Sequence, residues 1–179
     1  MNVATLSSHV RRWQAHKLFP AAAFAGLGIA LLAGAYAFEY IGGLKPCPLC
    51  YEQRVPWMFL IVIGGAVFAA ERAGARREVA IGLYALAALI ALYSAYLGLF
   101  HAGVEYKWWP GPPACADADA PLDSGDGLLG GLSPGEIVRC NEAAWTLAGI
   151  SLAGFNFLFS LVAAALAFLG VRATLSERS

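Results

Sequence analysis

Four stretches of this 179-residue chain carry no charged side chain: 18–38, 55–70, 79–104 and 143–171. A helix needs roughly 20 residues to cross ~30 Å of hydrocarbon, and three of the stretches are long enough as they stand. The second covers only about 24 Å at 1.5 Å per residue. It has to recruit 51–54 to cross, which sets Arg54 at the membrane boundary. A helix that is apolar on all sides has no soluble environment to occupy. The stretches therefore predict an all-α membrane protein, a bundle of four transmembrane helices in one domain. The expected spans are 18–40, 51–70, 79–100 and 147–171, with loops at 41–50 and 101–146.

Composition agrees. Hydrophobic letters make up 59% and charged letters 13%, far from the ~25% charged of a soluble domain. Such a chain is too apolar to be disordered. Its net charge of zero provides no basic stripe for nucleic acid. The first stretch follows Arg11, Arg12 and Lys17 and contains small-x-small triplets such as Ala33-Gly34-Ala35, as a cleaved signal peptide would. It is longer than the usual 7–15 apolar residues of such a peptide, so a retained helix is expected.

Charge sets an expected orientation. Arg11, Arg12, Lys17, Arg72, Arg76, Arg77, Arg172 and Arg178 fall on one side. Only Lys45, Arg54, Lys107 and Arg139 fall on the other. The positive-inside rule puts both termini in the cytoplasm and two loops outside. The acidic residues Asp117, Asp119, Asp123, Asp126, Glu136 and Glu142 agree with that side without determining it. In a bacterial inner membrane the outer loops are periplasmic.

All four cysteines lie in those loops, Cys47 and Cys50 in the first, Cys115 and Cys140 in the second. An even count in an oxidising compartment reads as two disulfides, Cys47–Cys50 and Cys115–Cys140. The long bridge closes a large loop and contributes about 3.5 kcal/mol in the chain-entropy model. The loop inside it is rich in Gly, Pro, Ser and Asp, a composition of turns and mobility. The short bridge adds little stability, but Cys-x-x-Cys is the spacing of thiol exchange.

The surroundings of that pair favour reactivity. Pro48 suits the first turn of a helix, which puts Cys50 in the same turn, and Arg54 one turn further on the same face. A helix amino terminus and a guanidinium both favour thiolate, the species that attacks disulfides. Pro56 removes the bond to the carbonyl of Glu52 and is expected to kink or open the start of the helix. Arg54 is expected to point into the bundle rather than snorkel to lipid phosphates. His101 ends the third stretch and is a candidate pocket residue. Glu39 is expected to be solvated. Trp57, Trp108, Trp109 and Trp145, with Tyr40, Tyr51 and Tyr106, read as an aromatic belt. A four-cysteine zinc site is the competing chemistry. It is disfavoured because one pair is widely spaced and the compartment oxidising. Purely structural disulfides in a membrane scaffold are the other competing reading.

At these residues the chain resembles the DsbB family of membrane thiol oxidases. The resemblance rests on Cys47-Pro-Leu-Cys50-Tyr-Glu-Gln-Arg54 at the mouth of the second span and on the four-span layout. It also rests on the Cys115 and Cys140 loop and on Cys140-Asn-Glu-Ala-Ala-Trp145 leading to the last span. It implies a membrane thiol:quinone oxidoreductase that reoxidises a periplasmic thioredoxin-like oxidase of DsbA type. On these residues the partner attacks Cys115, Cys140 is released and attacks Cys47, and Cys50 is freed as a thiolate against a bound quinone, ubiquinone or menaquinone. Arg54 and His101 help to bind the quinone. Cys140 has to come within bonding range of Cys47, which is expected to need loop movement, since a disulfide requires Cα atoms within about 7 Å. A vitamin K epoxide reductase-like protein is the alternative enzyme, but there the Cys-x-x-Cys lies on a late helix.

Overall fold

The computed structural model of the protein describes residues 3–116 and 139–176, without the side chains of 3–17, 114 and 116. The elements are α1 (Val3–Tyr40), α2 (Pro48–Arg72), α3 (Arg77–Glu105), a short α4 (Pro113–Ala116), β1 (Thr146–Leu147), β2 (Ile150–Ser151) and α5 (Leu152–Leu175). Four helical segments are long and apolar enough to cross a membrane: Leu18–Tyr40, Pro48–Arg72, Arg77–Glu105 and Leu152–Leu175. The four-span bundle read from the sequence is present. The loop acids Asp117, Asp119, Asp123, Asp126 and Glu136 lie outside the described residues, as do Arg178 and the side chains of Arg11, Arg12 and Lys17.

The bundle is built inside out relative to a soluble core. Its centre holds small side chains, Ala87 and Ala91 of α3 against Ala163 and Ala167 of α5, with Phe24, Trp57, Leu60 and Tyr84 filling between them. Large apolar side chains such as Val62, Leu89, Tyr96 and Phe168 are exposed on the outside. Lipid solvates Leu and Phe as well as a neighbouring helix does. Helices in a bilayer therefore associate through close packing of small residues and through polar contacts. The α3–α5 pair is the most extensive. Gly98 shows how close the two run: a Cβ there would lie 2.6 Å from the backbone nitrogen of Phe157. Ser160 donates to the Ser94 hydroxyl at 2.9 Å across the same seam.

Two helix starts differ from the expected ones. The second helix begins at Pro48, not at 51, because Cys47 caps it: its sulfur accepts from Cys50 N at 3.2 Å. The helix then continues through Pro56, so its first turn is capped rather than opened. The last helix begins at Leu152, well inside the apolar stretch 143–171. Residues before it form a two-stranded hairpin with Thr146 opposite Ser151. Ala148 (φ 52°) and Gly149 (φ 80°) make its turn, and two successive positive φ values are what a two-residue hairpin loop demands. Ser151 then caps α5, accepting from Gly154 N at 3.1 Å. Tyr106 ties this hairpin to the end of α3, donating to Gly149 O at 2.6 Å and accepting from Ser151 N at 3.1 Å. Apolar letters alone do not separate a short strand from a helix end; the capping serine and the left-handed turn decide it.

Trp57 leaves the expected belt. It is buried in the bundle, and its indole N–H donates to Asn156 Oδ1 at 2.6 Å. Trp108 and Trp109 do pack near the cysteine end, against Tyr106 and Phe100.

Candidate functional site

The site is assembled at one end of the bundle by the start of α2, the last turns of α3 and the segments on either side of the hairpin. α3 is 29 residues long, about 44 Å at 1.5 Å per residue. That exceeds the ~30 Å of hydrocarbon, so its final turns reach the level of the cysteines.

Cys47 and Cys50 were expected as a disulfide. The structure holds them as free thiols with sulfurs 2.7 Å apart. The cap geometry that brings the two sulfurs together serves the dithiol and the disulfide alike. Cys47 is buried. Its hydrogen bond to Cys50, followed by its burial, pushes the Cys47 thiol up from the ordinary cysteine value. Cys47 is therefore the partner that keeps its proton, and Cys50 is the sulfur free to act as nucleophile.

Cys115 and Cys140 are joined, with Cα atoms 5.2 Å apart. The bridge does not stand off in the loop: Cys115 and Cys140 share one buried cluster with Cys47, Leu49 and Val104, against which Cys50 and Phe100 pack. The structure thus brings all four cysteines into one cluster; the sequence reading expected loop movement to carry Cys140 within bonding range of Cys47. The loop segments flanking the bridge fold back onto the α2 cap because the disulfide and its neighbours are apolar and bury one another.

His101 lies behind Cys47, with Nε2 3.5 Å from the Cys47 sulfur. Its Nδ1 is held by the side-chain amide of Gln53, so the ring is oriented from α2. Glu105, one turn along α3, places Oε1 3.7 Å from the same Nε2. Its side chain is only 6% exposed, and Oε2 has no hydrogen-bond partner. Sequence reasoning passed over Gln53 and Glu105. The i,i+4 spacing from His101 was the available signal for Glu105.

Arg54 points into the bundle. Its Nη1 donates to Glu39 Oε2 at 2.6 Å, and both side chains are largely buried. Glu39, expected to be solvated, is therefore an ion-pair partner: a guanidinium placed there needs a nearby carboxylate. The rings of Tyr36 and Tyr51 flank the guanidinium at 4.8 and 4.9 Å, which fixes it by cation–π contact. Arg54 Nε has no partner.

Beside these groups lies a cavity of about 390 Å³, lined among others by Cys50, Arg54, His101, Asn156, Phe38 and Trp145. That is within the ~300–1,000 Å³ of small-ligand sites. Mostly apolar walls, an arginine with a spare N–H and a cysteine sulfur on one side suit a flat, greasy ring bearing oxygen atoms. The donor set thus fits a quinone.

The comparisons with known proteins agree with this geometry. The family model for disulfide bond formation protein DsbB matches residues 17–170. A Methylococcus capsulatus protein named disulfide bond formation protein B is 32% identical, over 69% of this chain and 74% of its own. Proteins of the same name from Acidovorax sp. and Polaromonas sp. are 30% and 29% identical. They cover 77% and 73% of this chain, and 78% and 76% of their own. No solved structure matches the chain significantly. A dithiol at a helix cap, a second cysteine pair folded against it and four membrane spans are thus found in a chain that belongs to the DsbB family of disulfide bond formation membrane proteins.

Proposed function

We propose that the protein is a membrane thiol:quinone oxidoreductase of the bacterial inner membrane, with its cysteine loops facing the periplasm and both termini in the cytoplasm. It reoxidises a thioredoxin-like dithiol oxidase of DsbA type. The observation that carries this reading is the position of Cys50. Cys50 packs against the Cys47 cluster and also lines the apolar cavity. Electrons entering as thiols leave through a lipid-soluble carrier.

The chain's own residues account for each stage. A reduced partner attacks Cys115, and Cys140 leaves as a thiolate. Cys140 then attacks Cys47 of the Cys47–Cys50 disulfide, displacing Cys50. The shared cluster makes that transfer a local rearrangement. The partner's second thiol then displaces Cys115, and the Cys115 thiolate attacks Cys140 of the Cys47–Cys140 disulfide, which restores Cys115–Cys140 and releases Cys47, leaving Cys47 and Cys50 as the dithiol. Arg54 and His101 hold the ligand against Cys50, with Arg54 also favouring the thiolate. A quinone, ubiquinone or menaquinone, supplies a two-electron, two-proton acceptor when bound.

Purified protein with added quinone should oxidise a reduced DsbA-type partner catalytically, and Cys50→Ser should abolish turnover while leaving the fold intact. Cys140→Ser should trap the partner covalently on Cys115. Persisting turnover in Cys50→Ser would remove Cys50 from the assigned role.

A further inference from the structure

Restoring Cys115–Cys140 requires Cys47 to depart from its disulfide with Cys140 as a thiolate. A thiol leaves more slowly the more tightly it holds a proton. Cys47 holds its proton tightly, because its hydrogen bond to Cys50 and its burial both push the thiol up. The departing charge therefore needs donors aimed at the Cys47 sulfur. Two lie within reach: Cys50 N donates at 3.2 Å, and His101 Nε2 is 3.5 Å away. Which nitrogen of His101 carries the hydrogen is decided by Gln53. The nitrogen of the Gln53 amide is identified by the Leu49 carbonyl, to which it donates at 3.4 Å; an amide oxygen turned that way would be repelled. The same nitrogen faces His101 Nδ1, so Nδ1 accepts and bears no hydrogen. A neutral imidazole then carries its one hydrogen on Nε2. The Cys47 sulfur and Glu105 Oε1, at 3.7 Å, are the acceptors facing that N–H. The larger radius of sulfur makes the first contact a hydrogen bond, whereas 3.7 Å to an oxygen is too long for one. Cys47, Gln53 and His101 are all buried, where a hydrogen bond is electrostatically stronger than in water.

We propose that His101, in the Nε2–H tautomer fixed by Gln53, is the hydrogen-bond donor that receives the charge of Cys47 as it leaves Cys140. Gln53 is the positioning residue of this pair. The proposal rests on the exchange sequence of the thiol:quinone reading and gives His101 a task in it apart from the ligand cavity. In the step, the Cys115 thiolate attacks the Cys140 sulfur. The Cys115–Cys140 bond forms, the Cys47–Cys140 bond breaks, and the electron pair of the broken bond leaves on the Cys47 sulfur. One disulfide replaces another, so there is no net oxidation, and His101 gives up no proton. The Nε2–H of His101 and the backbone N–H of Cys50 share the new negative charge. Cys47, Cys115 and Cys140, the three sulfurs of the step, already lie in one buried cluster.

The test uses quinone-free full-length protein, oxidised at both cysteine pairs and mixed with reduced DsbA as the probe. Acid quenching, alkylation and peptide mass spectrometry follow the probe on Cys115 and the Cys47–Cys140 link separately, so the last exchange is timed from release of the probe. His101→Leu should slow decay of the link roughly 10-fold, the scale of one hydrogen bond to a charged group. His101→Gln can place an amide N–H near the Nε2 position but exchanges no proton, and it should keep the decay within a factor of three of wild type. Decay in His101→Leu within a factor of two of wild type overturns the proposal, as does His101→Gln decaying as slowly as His101→Leu. Should neither variant fold, the nitrogen NMR spectrum of the wild-type imidazole reads the tautomer directly. A hydrogen on Nε2 alone is the expected result, and a hydrogen on Nδ1 in protein that forms the link strikes the proposal alone. Wild-type protein in which the Cys47–Cys140 link never forms overturns the exchange sequence, and the proposal with it.

Discussion

The Cys47 sulfur lies 3.5 Å from His101 Nε2, although 54 residues separate the two in sequence. A thiol at the cap of one membrane helix thereby meets an imidazole in the last turns of another. Around this contact the cavity, the second cysteine pair and two buried ionisable groups are arranged.

The first consequence concerns pH. The Cys47 thiol is pushed up by its hydrogen bond to Cys50 and by burial. At neutral pH a small alkylating reagent should therefore label Cys50 of the reduced protein and spare Cys47, read by peptide mass spectrometry. A thiol whose folded value exceeds its unfolded value stabilises the fold fully below the unfolded value of about 8.5. That contribution is lost as pH rises toward the folded value. The reduced protein should accordingly lose thermal stability above about pH 8.5 more steeply than Cys47→Ala. Equal slopes for the two proteins would contradict the assignment.

Removing the partner of Arg54 should be costly. Glu39→Gln leaves a largely buried guanidinium without its carboxylate, a change worth about 3 kcal/mol. A lowered melting temperature in detergent checks this. Arg54→Lys should not substitute for the native residue, because an ammonium lacks the planar face that lies between Tyr36 and Tyr51.

Asn156 accepts from the Trp57 indole at 2.6 Å and also lines the cavity. Asn156→Leu should cost about 1 kcal/mol of stability, the scale of a hydrogen bond between membrane helices. It should also change quinone affinity, because the polar side of the cavity is altered. A ubiquinone titration and a melting curve separate the two effects.

Gly98 tests the helix packing apart from the chemistry. A methyl group there meets the Phe157 backbone at 2.6–2.9 Å, so α3 and α5 have to separate. Gly98→Val should reduce the yield of folded protein sharply, whereas Gly82→Val, at a position with open space for a Cβ, should be tolerated. Similar yields for both variants would show that the α3–α5 approach is not limiting.

Much of this was legible along the chain. Uncharged stretches specify spans because a bilayer excludes unpaired backbone and charge whatever the neighbours are, and Pro48 and the Cys-x-x-Cys spacing put a nucleophile at a helix start. Arg54 was readable as an inward residue because the second stretch is too short without it. Glu39, Gln53, Glu105 and Asn156 were not readable in their roles. Each matters through a partner on another element: Arg54 on α2 for Glu39, His101 on α3 for Gln53, Ser151 and Cys47 for Glu105, and Trp57 for Asn156.

The sequence alone therefore determined how many times the chain crosses the membrane and which segment bears the reactive pair. Those are properties of short windows of residues set against water and lipid. Only the tertiary structure decided that the Cys115–Cys140 bridge packs with Cys47 and that a buried carboxylate with one unpartnered oxygen stands beside His101. Such juxtapositions depend on the lateral packing and rotation of helices, fixed by close contacts such as Gly98 on Phe157 rather than by anything local to the residues that react.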